Sequence, residues 1–211
     1  MEPRKKYYEV TAEEIIKNFE KRNIEGYYCS ESEAAADKVM ELITENSTVA
    51  WGGSMTRGEI GLLEKLQEAD LELLDRTEAS NSEEKNEIDR KAFYSDYYLM
   101  SSNAITQDGK LVNIDGNANR VAALCYGPKN VIIIAGMNKV TIDEDSARKR
   151  VRNLAAPMNA IRLNQKTPCA ETGSCQQCLV EDCICGQILI TRKSGATGRI
   201  KVILVGEELG F

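Results

Sequence analysis

A chain of 211 residues, 42% hydrophobic and 28% charged, has the composition to bury the core of one α/β domain, and disorder is excluded as its expected state. Its 33 acidic against 27 basic residues leave a net charge of −6, with no basic block beyond residues 4–6, which excludes nucleic acid as the expected partner. It contains no histidine, which removes the commonest general base, the commonest metal ligand and every Ser–His or Cys–His pairing. Acid–base work therefore falls to Asp, Glu, Lys, Tyr or Cys. No apolar run approaches the ~20 residues needed to span a bilayer, and residues 1–10 lack a signal-peptide core, so no membrane association and a cytoplasmic location are expected.

Taken in chain order, Thr11 with Glu14 has capping-box spacing and predicts a helix ending near Asn23, with Ile15, Ile16 and Phe19 on its apolar face. Residues 25–29 read as a short aromatic edge strand, and Ser30 with Glu33 predicts the cap of a second helix. Cys29 is expected to be a small buried residue, since it has no histidine partner to make it a nucleophile. Residues 47–51 predict a strand that runs into Gly52 and Gly53, followed by Ser54 and Thr56 at the start of a helix over residues 57–66. A glycine turn before a helix N-terminus lets backbone and hydroxyls approach an anion, and the same pattern also serves as a plain strand-to-helix turn. Glu59, one turn into that helix, is either a surface acid or a carboxylate aimed back at the loop.

Residues 71–75 predict a third strand, and residues 77–91 a polar loop and helix that is either a lid or a solvated segment. Tyr97–Met100 predicts a strand delivering Ser101, Ser102 and Asn103 to the carboxyl edge of a sheet, where ligands of open α/β folds bind. Asp108–Gly109 between apolar runs is a hairpin signal, joining residues 104–106 to residues 110–114. The second arm ends at Asp115 and Gly116, and Asn117, Asn119 and Arg120 lead into a helix with an expected Asn cap. Asp115 is the candidate general acid/base there, and Arg120 offers a fork of donors to a small anion. An ordinary Asn/Gly turn fits the same spacing. Asn130–Gly136 is apolar throughout, as a central parallel strand should be. Asp143 or Asp145 predicts a helix start, Pro157 starts or kinks the next helix, and Gln187–Thr191 with Ile200–Val205 predicts a closing strand pair.

Four segments together resemble the LUD (lactate utilization) domain family: SSNAITQDGKLVNIDGNANRVAALCY at residues 101–126, RNLAAPMNAIRL at 152–163, TPCAETGSCQQC at 167–178 and VILVGEELGF at 202–211. The resemblance covers nearly the whole chain. It implies one α/β domain over residues 1–211: a three-layer, Rossmann-like, mostly parallel sheet with helices on both faces, a hairpin and a Cys-rich loop at 167–186. That is the broad class of ribose-phosphate isomerase, glucosamine-phosphate deaminase and the CoA transferases. A lesser likeness to methylthioribose-phosphate isomerase rests on the AspGly turn, short strand and Asn-containing loop. The resemblance further implies a first ligand loop at Gly52–Thr56 and places Arg152, Asn153 and Asn159 near the ligand.

Five of the seven cysteines, Cys169, Cys175, Cys178, Cys183 and Cys185, fall within seventeen residues. The CxxC at Cys175 and Cys178 is a chelate spacing, and Cys183 with Cys185 forms a second arm that closes the site. A thiol-rich loop without metal fits the spacing as well. The family alignment implies Cys169, Cys175, Cys178 and Cys185 as ligands, with Cys183 an addition. Four thiolates admit an iron–sulfur cluster or zinc.

The resemblance thus implies binding of a small anionic metabolite in support of oxidation of lactate or a related hydroxy acid, with iron–sulfur oxidoreductase subunits or a second copy of the chain as partners. The alternatives are an isomerase, transferase or hydrolase acting on a sugar phosphate or CoA-like substrate, and a metal-stabilised assembly subunit without chemistry.

Overall fold

The computed structural model describes residues 2–211. The described strands are β1 (Ile24–Cys29), β2 (Thr48–Trp51), β3 (Glu72–Leu74), β4 (Tyr97–Met100), β5 (Ala104–Thr106), β6 (Leu111–Asp115), β7 (Asn130–Gly136), β8 (Val140–Thr141), β9 (Gln187–Thr191) and β10 (Ile200–Val205). The helices are α1 (Pro3–Glu20), α2 (Ser32–Leu42), α3 (Met55–Glu59), α4 (Leu62–Glu68), α5 (Ser82–Lys91), α6 (Asn119–Cys125), α7 (Glu144–Arg150), α8 (Ala156–Arg162) and α9 (Pro168–Thr172). Six strands form one parallel sheet in the order β1-β10-β7-β4-β2-β3, and the other four a mixed sheet in the order β8-β5-β6-β9.

The three layers follow from the period-2 geometry of the central strands. Tyr98, Met100, Val131, Ile133, Val202 and Leu204 pack on one face with Ala12, Ile15 and Phe19 of α1 and Leu124 of α6. Their neighbours Leu99, Ile132, Ile134, Ile203 and Val205 pack on the other face with Ala36 and Val39 of α2 and Leu62 and Leu66 of α4. Strands apolar on both sides are what a sheet covered on both faces requires. The second sheet is backed separately, with Val112 and Ile114 against Ala147, Val151 and Ala156.

Four local expectations are corrected. Helix α1 starts at Pro3, whose fixed φ suits a first turn, so Thr11 lies inside the helix and caps nothing. Ser30 does not cap α2; Glu207 does, accepting from the Ser32 backbone N–H at 3.0 Å and its hydroxyl at 2.6 Å. The helix expected over residues 57–66 breaks at Gly61, which takes φ 66° between α3 and α4. β9 and β10 do not pair with each other: half-exposed β9 lies antiparallel to β6, whereas apolar β10 enters the main sheet between β1 and β7.

The Asp108–Gly109 hairpin is present, with Gly109 at φ 86° and β5 antiparallel to β6. Its consequence for the site is positional. β2, β4 and β7 are adjacent parallel strands, so residues 52–56, 101–103 and 137–139 leave the sheet at the same edge. The chain also departs from β2 toward β3 but from β4 toward β7, in opposite directions along the sheet. Such a reversal opens a crevice beyond the carboxyl ends of the two strands.

Candidate functional site

A cleft of about 380 Å³ fills that crevice. Of the residues singled out in the sequence, Gly52, Gly53, Ser54, Asn103, Asp115, Gly116, Asn117, Asn119, Arg120 and Asn159 line it. Thr56 lies buried beneath the lining, and Glu59, Arg152 and Asn153 lie off it. Asn153 turns away to donate to the Lys149 carbonyl oxygen at 3.0 Å, and Glu59 accepts from the Gly210 N–H at 2.6 Å, which fastens residues 209–211 across the sheet edge. Arg76, Thr77 and Lys85, from the polar segment before and within α5, complete one wall. Ile184 of the cysteine loop forms part of another: a Cβ on Gly116 would stand 3.3 Å from the Ile184 Cα, so the two backbones touch.

The helix α6 entry differs from the expected Asn cap. Ala118 takes the cap position with φ 66° and contributes no side-chain bond. Asp115 does the capping instead, its carboxylate accepting from the backbone N–H of Ala118 at 3.1 Å and of Val121 at 3.3 Å. Beside it, Arg120 is spent on the protein's own frame. Nη1 donates to the Ser101 carbonyl at 3.2 Å and Asn113 Oδ1 at 2.7 Å; Nη2 donates to Asn103 Oδ1 at 3.1 Å and the Ile114 carbonyl at 2.6 Å. Its Nε stands 3.5 Å from the Asp115 carboxylate. Arg120 therefore ties the β4 exit, the hairpin and α6 into one rigid floor, with its fork already filled. Burial pushes its guanidinium below the usual value, and the Asp115 carboxylate opposes that shift.

Two residues not singled out in the sequence carry the unfilled chemistry. Arg57 of α3 lies with its guanidinium 4.5 Å from the centre of the Trp51 ring, and both residues line the cleft. Its Nε and Nη1 are buried without a hydrogen-bond partner, as is the Trp51 indole N–H. Burial lowers the Arg57 value, and Asp75 acts against it. Lys139, only 3% exposed, donates to Thr56 Oγ1 at 3.1 Å and Ser101 Oγ at 2.8 Å. It has no carboxylate in contact. Burial above all, then Arg150 and Arg120 against the opposing pull of Glu59, brings the Lys139 amine down to about 7. An arginine at the third position of a short helix and a lysine three residues past a strand give no local signal; both matter only because the strand order brings them to one crevice.

The cleft is lined by six basic side chains, Arg57, Arg76, Lys85, Arg120, Lys139 and Arg162, and one acidic side chain, Asp115. With Arg120 beside Asp115, Arg76 paired to Asp89 at 3.2 Å and Lys139 brought down to about 7, Arg57, Lys85 and Arg162 supply the positive charge of the cavity, which favours an anion.

The cysteine loop stands against this cleft. All seven cysteines are free thiols, and among the described residues no three Cys, Asp or Glu side chains converge on one metal position. Burial, joined by the neighbouring Cys183, Cys169 and Cys175, pushes the Cys185 thiol up to about 12, and Cys178 is raised by burial together with Cys183 and Cys169. Cys183 and Cys169 thus bear on the ionisation of both Cys178 and Cys185 within the loop.

No helix among the described residues is long and apolar enough to cross a membrane. No curated protein shows significant similarity to the chain. Among solved structures, a DUF162 family protein from Deinococcus radiodurans matches with TM-score 0.50 and 13% identity, over 95% of this chain and 98% of its own. A D-ribose-5-phosphate isomerase in complex with phospho-erythronic acid matches at TM-score 0.37 and 16% identity, over 52% of this chain and 53% of its own. The tetrameric eIF2B-beta2-delta2 complex from C. thermophilum gives 0.43 and 14%, over 84% of this chain and 56% of that one. The profile of the LUD domain matches residues 12–205, and the chain belongs to the LUD domain family.

Proposed function

We propose that the protein binds a small anionic metabolite in the cleft beyond β2 and β4, in support of the oxidation of lactate or a related hydroxy acid. The supporting observation is Arg57, whose buried Nε and Nη1 have no acceptor. A guanidinium in that state carries an uncompensated desolvation cost, which a carboxylate or phosphate drawn to its charge would offset. The Trp51 face fixes the plane of the fork before any ligand arrives. Gly52 and Gly53 keep the loop beside it low, and Ser54 adds a hydroxyl. Asp115, Asn117 and Asn119 line the same cleft, with Asp115 the candidate for proton transfer.

The cysteines would hold the group that connects this cleft to electron transfer: Cys169, Cys175, Cys178 and Cys185 as thiolates, with Cys183 beside them. An iron–sulfur cluster bound there would supply one-electron transfer, whereas zinc would only staple the loop. An apolar face at Leu154, Met158 and Ile161, one turn apart and each at least 42% exposed, is available to an iron–sulfur partner subunit or a second copy of the chain. A second reading, isomerisation, group transfer or hydrolysis of a sugar phosphate or CoA-like substrate, draws support from the Lys139 amine in the same cleft.

Titration calorimetry with lactate, pyruvate, ribose 5-phosphate and acetyl-CoA tests the reading. One class should bind at a single site, and Arg57→Ala should weaken it by about 10- to 100-fold, the worth of a charged hydrogen bond. No binding of any of these anions at millimolar concentration would overturn it.

A further inference from the structure

Lys139 Nζ and Ser101 Oγ are 2.8 Å apart, and both residues line the cleft. They come from the ends of adjacent parallel strands, Ser101 directly after β4 and Lys139 shortly after β7, so the sheet itself sets their separation. The Thr56 hydroxyl, 3.1 Å from the amine, is its second hydrogen-bond partner. We propose that Ser101 is a nucleophile and Lys139 its general base, and that the pair hydrolyses an ester or thioester of a small carboxylic acid. The proposal rests on the anion-binding reading of this cleft, with Arg57 receiving the charged end of the substrate.

Three observations support it. In a chain with no histidine, Lys139 is a buried amine brought down to about 7, so a large neutral fraction exists near pH 7. The groups that bear on its charge are Arg150 and Arg120, which favour the neutral amine, and Glu59, which opposes them; none of these three is hydrogen-bonded to it. The Ser101 hydroxyl is also uncommitted. Its other neighbour is the Ser102 carbonyl at 3.5 Å, beyond a firm O–H···O bond, so its proton is free to turn to Nζ.

The step balances with water as the only co-reactant. The Ser101 hydroxyl proton passes to the neutral Lys139 amine as Oγ forms a bond to the acyl carbon. The bond from that carbon to the ester oxygen or thioester sulfur then breaks, and the leaving group takes the proton from Lys139. A water molecule next gives a proton to the amine as its oxygen attacks the acyl-serine, and Ser101 departs by recovering that proton, which releases the free acid.

The test is covalent labelling of the intact protein by a small fluorophosphonate, read by mass spectrometry, beside calorimetric titration with anions. Labelling should fall on Ser101, rise with pH through about 7, and disappear in Ser101→Ala. Lys139→Met should slow it by about 100-fold, as loss of a general base does. Should the Met variant fail to fold, Lys139→Arg keeps a donor and a charge at the position but cannot deprotonate, and should show the same loss of rate and of pH dependence. A protein that binds anions but leaves Ser101 unlabelled, or labels it at a rate independent of pH and of Lys139, would overturn the dyad and leave the anion site standing. Labelling without any anion binding would overturn the anion reading instead.

Discussion

Replacing Arg120 by Met should unfold the floor of the cleft more than it impairs any ligand contact. The guanidinium makes four hydrogen bonds, to Ser101, Asn113, Asn103 and Ile114, and stands beside Asp115, with its side chain 14% exposed. Removing one member of a buried, paired and hydrogen-bonded charge costs about 3–5 kcal/mol, because the remaining partner is left uncompensated. Met restores most of the apolar stem, which keeps the expected loss at the lower end, about 3 kcal/mol. For a chain of this size that corresponds to a fall in Tm of roughly 6–12 °C. Urea unfolding followed by circular dichroism, with thermal scans in parallel, reads it directly. A variant within about 0.5 kcal/mol of the wild type, an ordinary surface effect, that had lost anion binding would refute the reasoning and make Arg120 a ligand residue.

Asp115→Asn should lose about 1–3 kcal/mol, since the amide keeps an oxygen for one of the two α6 N–H groups but gives up the charge beside Arg120. Unchanged urea unfolding with lost function would give Asp115 a purely chemical role. Lys139 has a folded-state value of about 7 against an ordinary 10.5, so between those values the unfolded chain holds the extra proton and stability rises with pH. Lys139→Met should flatten that rise; parallel pH profiles for the two proteins would place the buried charge elsewhere. Protein purified without oxygen should carry iron and sulfide, or zinc, and Cys169→Ser, Cys175→Ser, Cys178→Ser and Cys185→Ser should each lower the content while Cys183→Ser does so less. Anaerobic protein with no metal and five titratable thiols in the loop would end that proposal.

What was legible in the sequence was whatever local chemistry dictates. Asp108–Gly109 announces a hairpin because Gly109 alone tolerates φ 86° there, and Asn130–Gly136 announces a buried strand by having no polar face. The convergence of the loops at residues 52–54, 101–103 and 115–120 follows from the rule that open sheets bind at their carboxyl edge, and the structure does bring them to one cleft. The order of the strands was not legible. It decides that β10 leaves β9 for the centre of the sheet, and it decides that Lys139 stands over Thr56 and Ser101. Arg57 reads locally as a solvated helix residue; its place on the Trp51 ring at the cleft is set by tertiary structure. The expected Asn cap failed for a physical reason of another kind: with Ala118 in a left-handed turn at the cap position, the Asp115 carboxylate accepts from the N–H groups of Ala118 and Val121.

The claim on which the account turns is that the Arg57 fork, unpaired on the Trp51 face, is the receptor for an anion. Thermal unfolding of wild type and Arg57→Met across a concentration series of lactate, pyruvate and inorganic phosphate tests it most directly, because a ligand that binds only the folded state raises Tm by mass action. The wild type should gain a saturable rise with at least one of these anions, and the variant should show little or none at the same concentrations. An equal, saturable rise in both proteins would contradict the account, since the anion would then be held by groups other than Arg57.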